Sequence, residues 1–365
     1  MANISILGGG HGAHTMAADL KLRGHDIVMY EMPHFERNVR KVLETKEIEI
    51  FGNIPVEGIA KLNNVTTDIN VAIKDAEYIF IVVPANAHPE YAKLLADKVN
   101  PDQLLVLFPG TFGTLEFKKI FLDLGNKDEI ILAEADTLPY ATRLVGEGQV
   151  KVFKTVDKMG LAVFPSKYSE KIADKLSQFF PFELYTNVIE CGLSSLNPVL
   201  HIGAVVLNIG RIEYVAKTPF YLYEQGYTKS TAKVCEYVDS ERRAIGKKFG
   251  FNLISVSDAL YRDGFGPKGT LWQTVKASEG LTPIEGPNSI DTRYLKEDTP
   301  CGFVPWSCLG KQLNVPTPTI DSLIHIVSII YDTDYFKEGR TLEKLGLANM
   351  TAKEMLEYVE NGLKV

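Results

Sequence analysis

Hydrophobic and polar positions change rhythm near the middle of the chain. Short apolar runs with strand character occupy Asn3–Leu7, Asp26–Tyr30, Tyr78–Val83, Leu104–Phe108, Ile130–Glu134, Val150–Phe153 and Lys158–Phe164. Stretches of helical period lie among them, from His14 to Arg23, Pro89 to Val99 and Ser169 to Phe179. Strands alternating with helices in this way predict a doubly wound, mostly parallel α/β sheet, with the last two runs extending it. That domain is expected to close near Asn187, over residues 1–187. In residues 188–365 strand patterning nearly vanishes. Amphipathic helices are predicted over Pro198–Ala216, Thr228–Phe249, Val256–Tyr261, Leu271–Ser278, Pro318–Tyr331, Thr341–Leu345 and Thr351–Gly362, with a Gly- and Pro-rich loop segment at Glu279–Pro316. The second domain is therefore all-α.

The first strand breaks into Gly8-Gly9-Gly10-His11-Gly12-Ala13, and the second closes on Glu31. Gly8, Gly10 and Ala13 take the three positions of G-x-G-x-x-G/A, with an acid about 20 residues on, in the strand–turn–helix–strand setting of a dinucleotide-binding Rossmann fold. Each position has a physical reason. Gly8 permits the tight turn, Gly10 lets a pyrophosphate approach the backbone, and Ala13 lets helix pack close on strand. His11, Gly12 and Ala13 open a helix whose first amides suit phosphate. Glu31 is expected to accept the adenosine ribose hydroxyls and to repel a 2′-phosphate, which favours NAD. Arg37 and Arg40 follow closely enough that NADP stays open. The strand ends at Pro84-Ala85 and Pro109–Gly113 fall on the carboxyl edge of the sheet, where a nicotinamide floor is expected. His88, just before Pro89, reads as a helix-start residue.

Bulk properties exclude several classes. A net charge of -7 and a pI near 5.6 leave no basic face for nucleic acid. The start runs directly into a strand, so no signal peptide is expected. The apolar runs around Ala204–Ile209 and Ile320–Ile330 are too short or too interrupted to span a bilayer, and a cytoplasmic protein is expected. Cys191, Cys235, Cys301 and Cys308 are scattered, with no CxxC pair, which predicts reduced thiols and no metal site.

Two stretches of the second domain carry polar groups in apolar surroundings. In Asn197-Pro198-Val199-Leu200-His201, Pro198 suits a first helical turn with Asn197 as its N-cap. His201 then stands on a wall of Val, Leu and Ile, as either a hydrogen-bonded core residue or an acid/base group facing a cleft. The charged run Asp291–Pro300 is either a solvated loop or a binding loop. Gly264–Gly269 follows no strand and reads as a turn.

The glycine turn, the strand end Val82-Val83-Pro84-Ala85, Glu134-Ala135-Asp136-Thr137-Leu138-Pro139-Tyr140, Asn197–His201 and Arg293-Tyr294-Leu295-Lys296-Glu297-Asp298-Thr299-Pro300 together resemble the octopine/nopaline (opine) dehydrogenase family. The resemblance runs over essentially the whole chain. It implies an NAD(P)-dependent oxidoreductase that condenses a 2-oxo acid with the amine of an amino acid and reduces the imine to a secondary amine. It further implies that His201 is the acid/base group, Asp298 its carboxylate partner, Arg293 the clamp for a substrate carboxylate and Asn197 a polar neighbour of His201. Glu297 and Asp291 compete with Asp298 for the partner role, and Asn197 as a simple cap competes with its site role. The roles agree with the chemistry. Protonated imidazole absorbs charge built on a carbonyl or imine, a carboxylate fixes its tautomer, and a guanidinium binds a carboxylate bidentately. Tyr294, Thr142 and Arg143 could line the same pocket, although their spacing does not require it. The site is expected between the domains. Two other readings use the same residues: reduction of a 2-oxo or 3-oxo acid to a hydroxy acid without an amine, and an NAD-holding sensor without turnover. The apolar last helices would allow a homodimer.

Overall fold

A strand covered on both faces is apolar at nearly every position, and Tyr78–Ile81, Leu104–Leu107 and Leu132–Ala135 are buried throughout. They belong to a computed structural model that describes residues 1–214 and 218–362. In chain order its strands are β1 (Asn3–Leu7), β2 (Asp26–Tyr30), β3 (Glu47–Gly52), β4 (Gly58–Lys61), β5 (Asn64–Thr66) and β6 (Tyr78–Ile81). There follow β7 (Leu104–Leu107), β8 (Leu132–Ala135), β9 (Tyr140–Gly146), β10 (Gln149–Thr155), β11 (Met159–Phe164) and β12 (Phe182–Leu184). The larger sheet has the order β12-β11-β8-β7-β6-β1-β2-β5. From β5 to β8 it is parallel throughout, and its crossovers give the 3-2-1-4-5-6 order of a Rossmann fold. β11 then runs antiparallel to β8, and β12 parallel to β11.

A second sheet, β4-β3-β10-β9, departs from the sequence reading, which assigned Val150–Phe153 to the main sheet. Those residues lie in β10, paired with β3 on one side and antiparallel to β9 on the other. Its function is to cover the first helix. His11–Leu22 packs between the main sheet and this one, so every residue from Gly12 to Leu20 is buried. Two of its polar members bond toward the second sheet: Thr15 bonds Thr142 at 2.8 Å, and the Tyr140 hydroxyl donates to Asp19 at 2.6 Å. Gly24, at φ +91°, ends the helix in the left-handed conformation that a side chain rarely adopts.

The chain divides into Met1–Cys191 together with Glu357–Val365, and Gly192–Leu356. The expected boundary at 187/188 is therefore displaced by a few residues, and the expectation that the chain stays in the helical domain to its end is corrected. The chain from Glu357 on returns to the first unit because Tyr358 is buried against Phe164, with ring centroids 5.3 Å apart, and Lys167 donates to the Asn361 carbonyl.

The second unit is helical, as its period predicts. Its longest helix, Lys229–Lys248, starts at Thr228, whose side chain accepts from the Thr231 amide. The helix expected over Pro198–Ala216 is broken into Asn197–Val206 and Ile209–Tyr214, and Val215 and Ala216 lie outside the described residues. The break falls at Asn208, whose amide donates to the Ala204 and Gly226 carbonyls. Residues 341–345 form turns, closed by Gly346 at φ +72°. The expected loop Glu279–Pro316 contains a buried helix, Val304–Gln312, because Phe303, Val304, Trp306 and Leu309 are all fully buried there. Val188–Val206, taken as one stretch, is longer than the apolar runs read from the sequence and would suffice by length and composition to cross a membrane. It is 78% buried within the protein, which marks core helix.

Candidate active site

The glycine turn shows what each position is for. Gly8 has φ +123°, and a Cβ there would lie 2.5 Å from the Val82 carbonyl oxygen, so the turn closes only with glycine. Gly10, which caps the helix, has nothing within 4 Å of its Cβ direction. That open space over a helix N-terminus is the cradle a pyrophosphate needs, and the residues present fit a dinucleotide. Ala13 is fully buried. The Gly12 Cβ direction points at Leu138 and Val82 within 3.3 Å. His11 lends its Nδ1 to the Leu144 amide of β9, 2.9 Å away, so its ring ties the turn to the second sheet. Pro84 is exposed and Ala85 buried in the turn that follows β6.

Glu31 lies at the end of β2 but is buried rather than presented. Its carboxylate accepts from the Met32 amide at 2.8 Å, the Asn38 amide at 3.2 Å and the Tyr91 hydroxyl at 3.2 Å. It also packs over Gly9, where a Cβ would lie 2.4 Å from Oε2. A carboxylate offers about four lone-pair sites, so about one is left for a ribose hydroxyl. Burial and the Glu31 charge together push the Tyr91 hydroxyl far above the ordinary phenol range, which keeps it a donor. Arg37 and Arg40 are exposed.

Beyond β7 and β8 the acidic residues hold structure. Glu134 is buried and accepts from the Phe112 amide and from both the amide and hydroxyl of Thr114. It thereby fixes a turn in which Thr111 and Phe112 both have positive φ, 52° and 64°. Asp136 accepts from the Gly160 amide and the Tyr185 hydroxyl. His88 is buried under Gly113 and against Phe117, at the start of helix His88–Leu95.

In the second unit His201 gathers its neighbours. Pro198 occupies the first turn of Asn197–Val206, and His201 sits one turn on. The N-cap is Leu196, with no side-chain cap bond, so Asn197 is the half-buried first helical residue on the face of His201 rather than a cap. His201 Nδ1 lies 2.7 Å from Asp298 Oδ2, and Nε2 lies 3.1 Å from the Tyr223 hydroxyl. Tyr294 stacks on the ring at 3.8 Å and 16°. Arg293 stands 5.7 Å from the Tyr294 centroid and 3.5 Å from Glu297, with its side chain 62% exposed. Asp291 pairs with Lys296. Of the three acids that compete for His201, Asp298 alone is the one at hydrogen-bonding distance among the bonds of the described residues. Four residues on, Gly302 packs on Pro198 so closely that a Cβ would lie 2.5 Å from Pro198 Cγ.

Residues 184–331 match the family model for the α-helical domain of NAD/NADP octopine/nopaline dehydrogenase, and residues 3–112 that for the N-terminus of NAD-dependent glycerol-3-phosphate dehydrogenase. An opine dehydrogenase of Arthrobacter sp. (strain 1C) is 37% identical over 98% of both chains. The chain belongs to the opine dehydrogenase family. It is accordingly an NAD-dependent oxidoreductase of that type. A solved octopine dehydrogenase with NADH and L-arginine superposes with a TM-score of 0.79 at 19% identity, covering 100% of this chain and 99% of that one. A yersinopine dehydrogenase with NADP+ gives 0.74 at 14% identity, covering 99% and 98%. Both show the same fold.

Within that family frame, four contacts of the candidate sites have no counterpart in the sequence reading. Tyr223 comes from a π-helical turn, Leu222–Gly226, 22 residues beyond His201. Tyr294 was legible as a neighbour of Arg293, but its stacking on His201 follows from the fold of a four-residue helix, Arg293–Lys296, started by Thr292. Asn38 and Tyr91 reach Glu31 from two other elements. A sequence signal for any of these is lacking, because each is a contact between separate elements made by an ordinary tyrosine or asparagine.

Proposed function

We propose that His201, Asp298 and Arg293 carry the reductive condensation of a 2-oxo acid with the amino group of an amino acid, giving a secondary-amine dicarboxylate, and its reverse. The observation that carries this reading is the 2.7 Å contact between His201 and Asp298 beside an exposed arginine. Asp298 accepts the Nδ1–H, so proton exchange runs through Nε2, which gives up its 3.1 Å bond with the Tyr223 hydroxyl to meet the substrate oxygen. His201 protonates the oxygen lost as water when the amine adds to the oxo group, and takes that proton back in the reverse direction. Arg293 holds a substrate carboxylate through paired N–H bonds, and Asn197 supplies an amide on the same helix face as His201. When bound, the reduced nicotinamide supplies the hydride that converts the imine to the amine.

Gly8, Gly10, His11, Gly12 and Ala13 bind the pyrophosphate, Pro84 and Ala85 line the nicotinamide side, and Glu31 receives the ribose. Its charge beside the 2′ position favours NAD(H) over NADP(H). We place the protein in the cytoplasm, and the exposed Ile326 and Ile329 on Pro318–Ile330 give a homodimer an apolar face to bury.

The test is oxidation of NADH over a grid of 2-oxo acids, each with and without a pool of amino acids. Oxidation that requires both supports the reading, and oxidation with the oxo acid alone makes the chain a hydroxy-acid dehydrogenase. His201→Ala keeps NADH binding and loses most turnover. Unchanged turnover in that variant rules out its assigned role.

A further inference from the structure

Both ring nitrogens of His201 are engaged within the protein, and its side chain is only 5% exposed. We propose that Tyr223 is a positioning residue for this reaction: it closes a hydrogen-bonded chain, Asp298–His201–Tyr223, and sets the pH at which His201 carries its proton. The inference rests on the acid/base role given to His201 above.

A phenol suits this place for a specific reason. It donates to Nε2 while the imidazole is neutral and accepts from Nε2–H once it is charged, so neither state leaves a buried nitrogen without a partner. A backbone carbonyl would serve only the charged state. Tyr223 itself is buried, and burial holds its hydroxyl well above the ordinary phenol range, so it stays protonated across any working pH.

The surroundings fix the hydroxyl in three ways. Tyr223 stands in a π-helical turn, a rare geometry that is found disproportionately at functional sites. The Tyr227 ring stacks on it at 5.6 Å and 23°, and the Tyr227 hydroxyl donates to the carbonyl of Leu200, the residue before His201, at 2.6 Å. Asn208 bonds the Gly226 carbonyl and so ties the turn to the end of the His201 helix. Asp298, on the other side of the ring, immediately precedes a second π-helical turn, Thr299–Phe303. One hydrogen-bond partner of His201 thus stands within a π-helical turn and the other directly before one.

The groups facing this chain are Asp298, Glu297, Arg293 and Tyr294 from the 293–303 segment, Tyr223 and Tyr227 from the first π turn, and Cys235 behind Tyr227 from Lys229–Lys248. Helix Pro318–Ile330 approaches the His201 helix through Leu323, opposite Gly203; of its titratable groups, Asp321 accepts from Ser307 and Thr317 and His325 is exposed.

Tyr223→Phe removes one oxygen and keeps the ring. An unpaired charged N–H in a buried site costs more than an unpaired neutral nitrogen, so the protonated imidazole loses more. The His201 ring titration, followed by NMR and assigned with His201→Asn, is expected to move down by about one pH unit. The pH profile of kcat for reductive condensation moves with it, with kcat falling about tenfold on its alkaline side and KM for the oxo acid unchanged. An unmoved titration and profile overturn the proposal, whatever happens to Tm. Should the phenylalanine variant fail to fold, 3-fluorotyrosine in place of Tyr223 keeps the hydroxyl as a stronger donor and weaker acceptor. The midpoint falls there too, and one that stays put overturns the proposal. The ring titration needs no substrate. A moved midpoint in an enzyme that shows no amine-dependent turnover would sink the proposed reaction and leave the hydrogen-bonded chain standing.

Discussion

Gly302→Ala is the perturbation that most directly tests how the acid/base pair is assembled. A Cβ at 302 would lie 2.5 Å from Pro198 Cγ and 3.0 Å from Pro198 Cβ. Carbon atoms rest about 3.5–4 Å apart, so the turn and the helix start must separate by about 1 Å. The proline ring has no rotamer into which it can swing. Asp298 lies four residues before Gly302 and His201 three residues after Pro198, so the displacement acts across their 2.7 Å bond. Overpacking of this kind costs about 1–3 kcal/mol of stability. In a unit of this size that lowers Tm by roughly 2–12 °C. A misplacement of about 1 Å at a reacting group costs about a hundredfold in rate, and that is the expected loss in kcat. NADH affinity should not change, because the glycine turn belongs to the other unit. The assay is a double-mutant cycle on kcat with Asp298→Asn. If the alanine acts through the His201–Asp298 bond, its further cost in the asparagine background shrinks to less than about threefold. A full hundredfold loss on top of Asp298→Asn, or wild-type kcat in the single variant, would refute the reasoning.

The cofactor turn gives two opposite outcomes from the same substitution. Gly10→Ala meets open space, so Tm holds while NADH affinity, measured by fluorescence titration, falls at least about tenfold through contact with the pyrophosphate. Gly8→Ala is strained at φ +123° against Val82, and its loss appears first in Tm. His14 gives a pH prediction. Burial, with the Gly10 carbonyl bond opposing, lowers it to about 4. The unfolded chain takes up this proton below about 6.5 and the folded one only near 4, so stability falls as pH drops through that window, by up to about 3 kcal/mol. Urea melts of wild type and His14→Leu between these limits measure it. Equal slopes for the two proteins would remove His14 as the cause.

The main sheet, apart from its short edge strands β5 and β12, was legible because its inner strands are buried on both faces, and such strands read as unbroken apolar runs in any register. The glycine turn was legible for a different reason: its φ requirement restricts residue type directly. Glu31 was placed correctly at the end of β2, but its burial was not, since two of the three donors that hold it come from Asn38 and Tyr91. The second sheet escaped because β3 pairs with β10, about a hundred residues away, and both carry charges among their apolar positions. Local period names no partner at that distance. The same limit applies at the site. Spacing alone left Asp291, Glu297 and Asp298 in competition, and the folded chain separates them: Asp298 reaches His201 at 2.7 Å, while Asp291 pairs with Lys296 and Glu297 with Arg293. The π-helical turns have the composition of ordinary helix, so the geometry that delivers Tyr223 and Asp298 leaves no mark in the pattern.

Tyr358 against Phe164 also bears on how the protein is made. The 165 residues of Gly192–Leu356 stand between the last strand of the Rossmann unit and the helix end that completes it. At a synthesis rate of about 5–20 residues per second, the nascent sheet waits roughly 8–30 s for its final piece. During that interval the whole helical unit must emerge while the apolar surface around Phe164 has no native cover. The cofactor-binding half is first to appear and last to be finished, so its quality depends on the half that is translated in between.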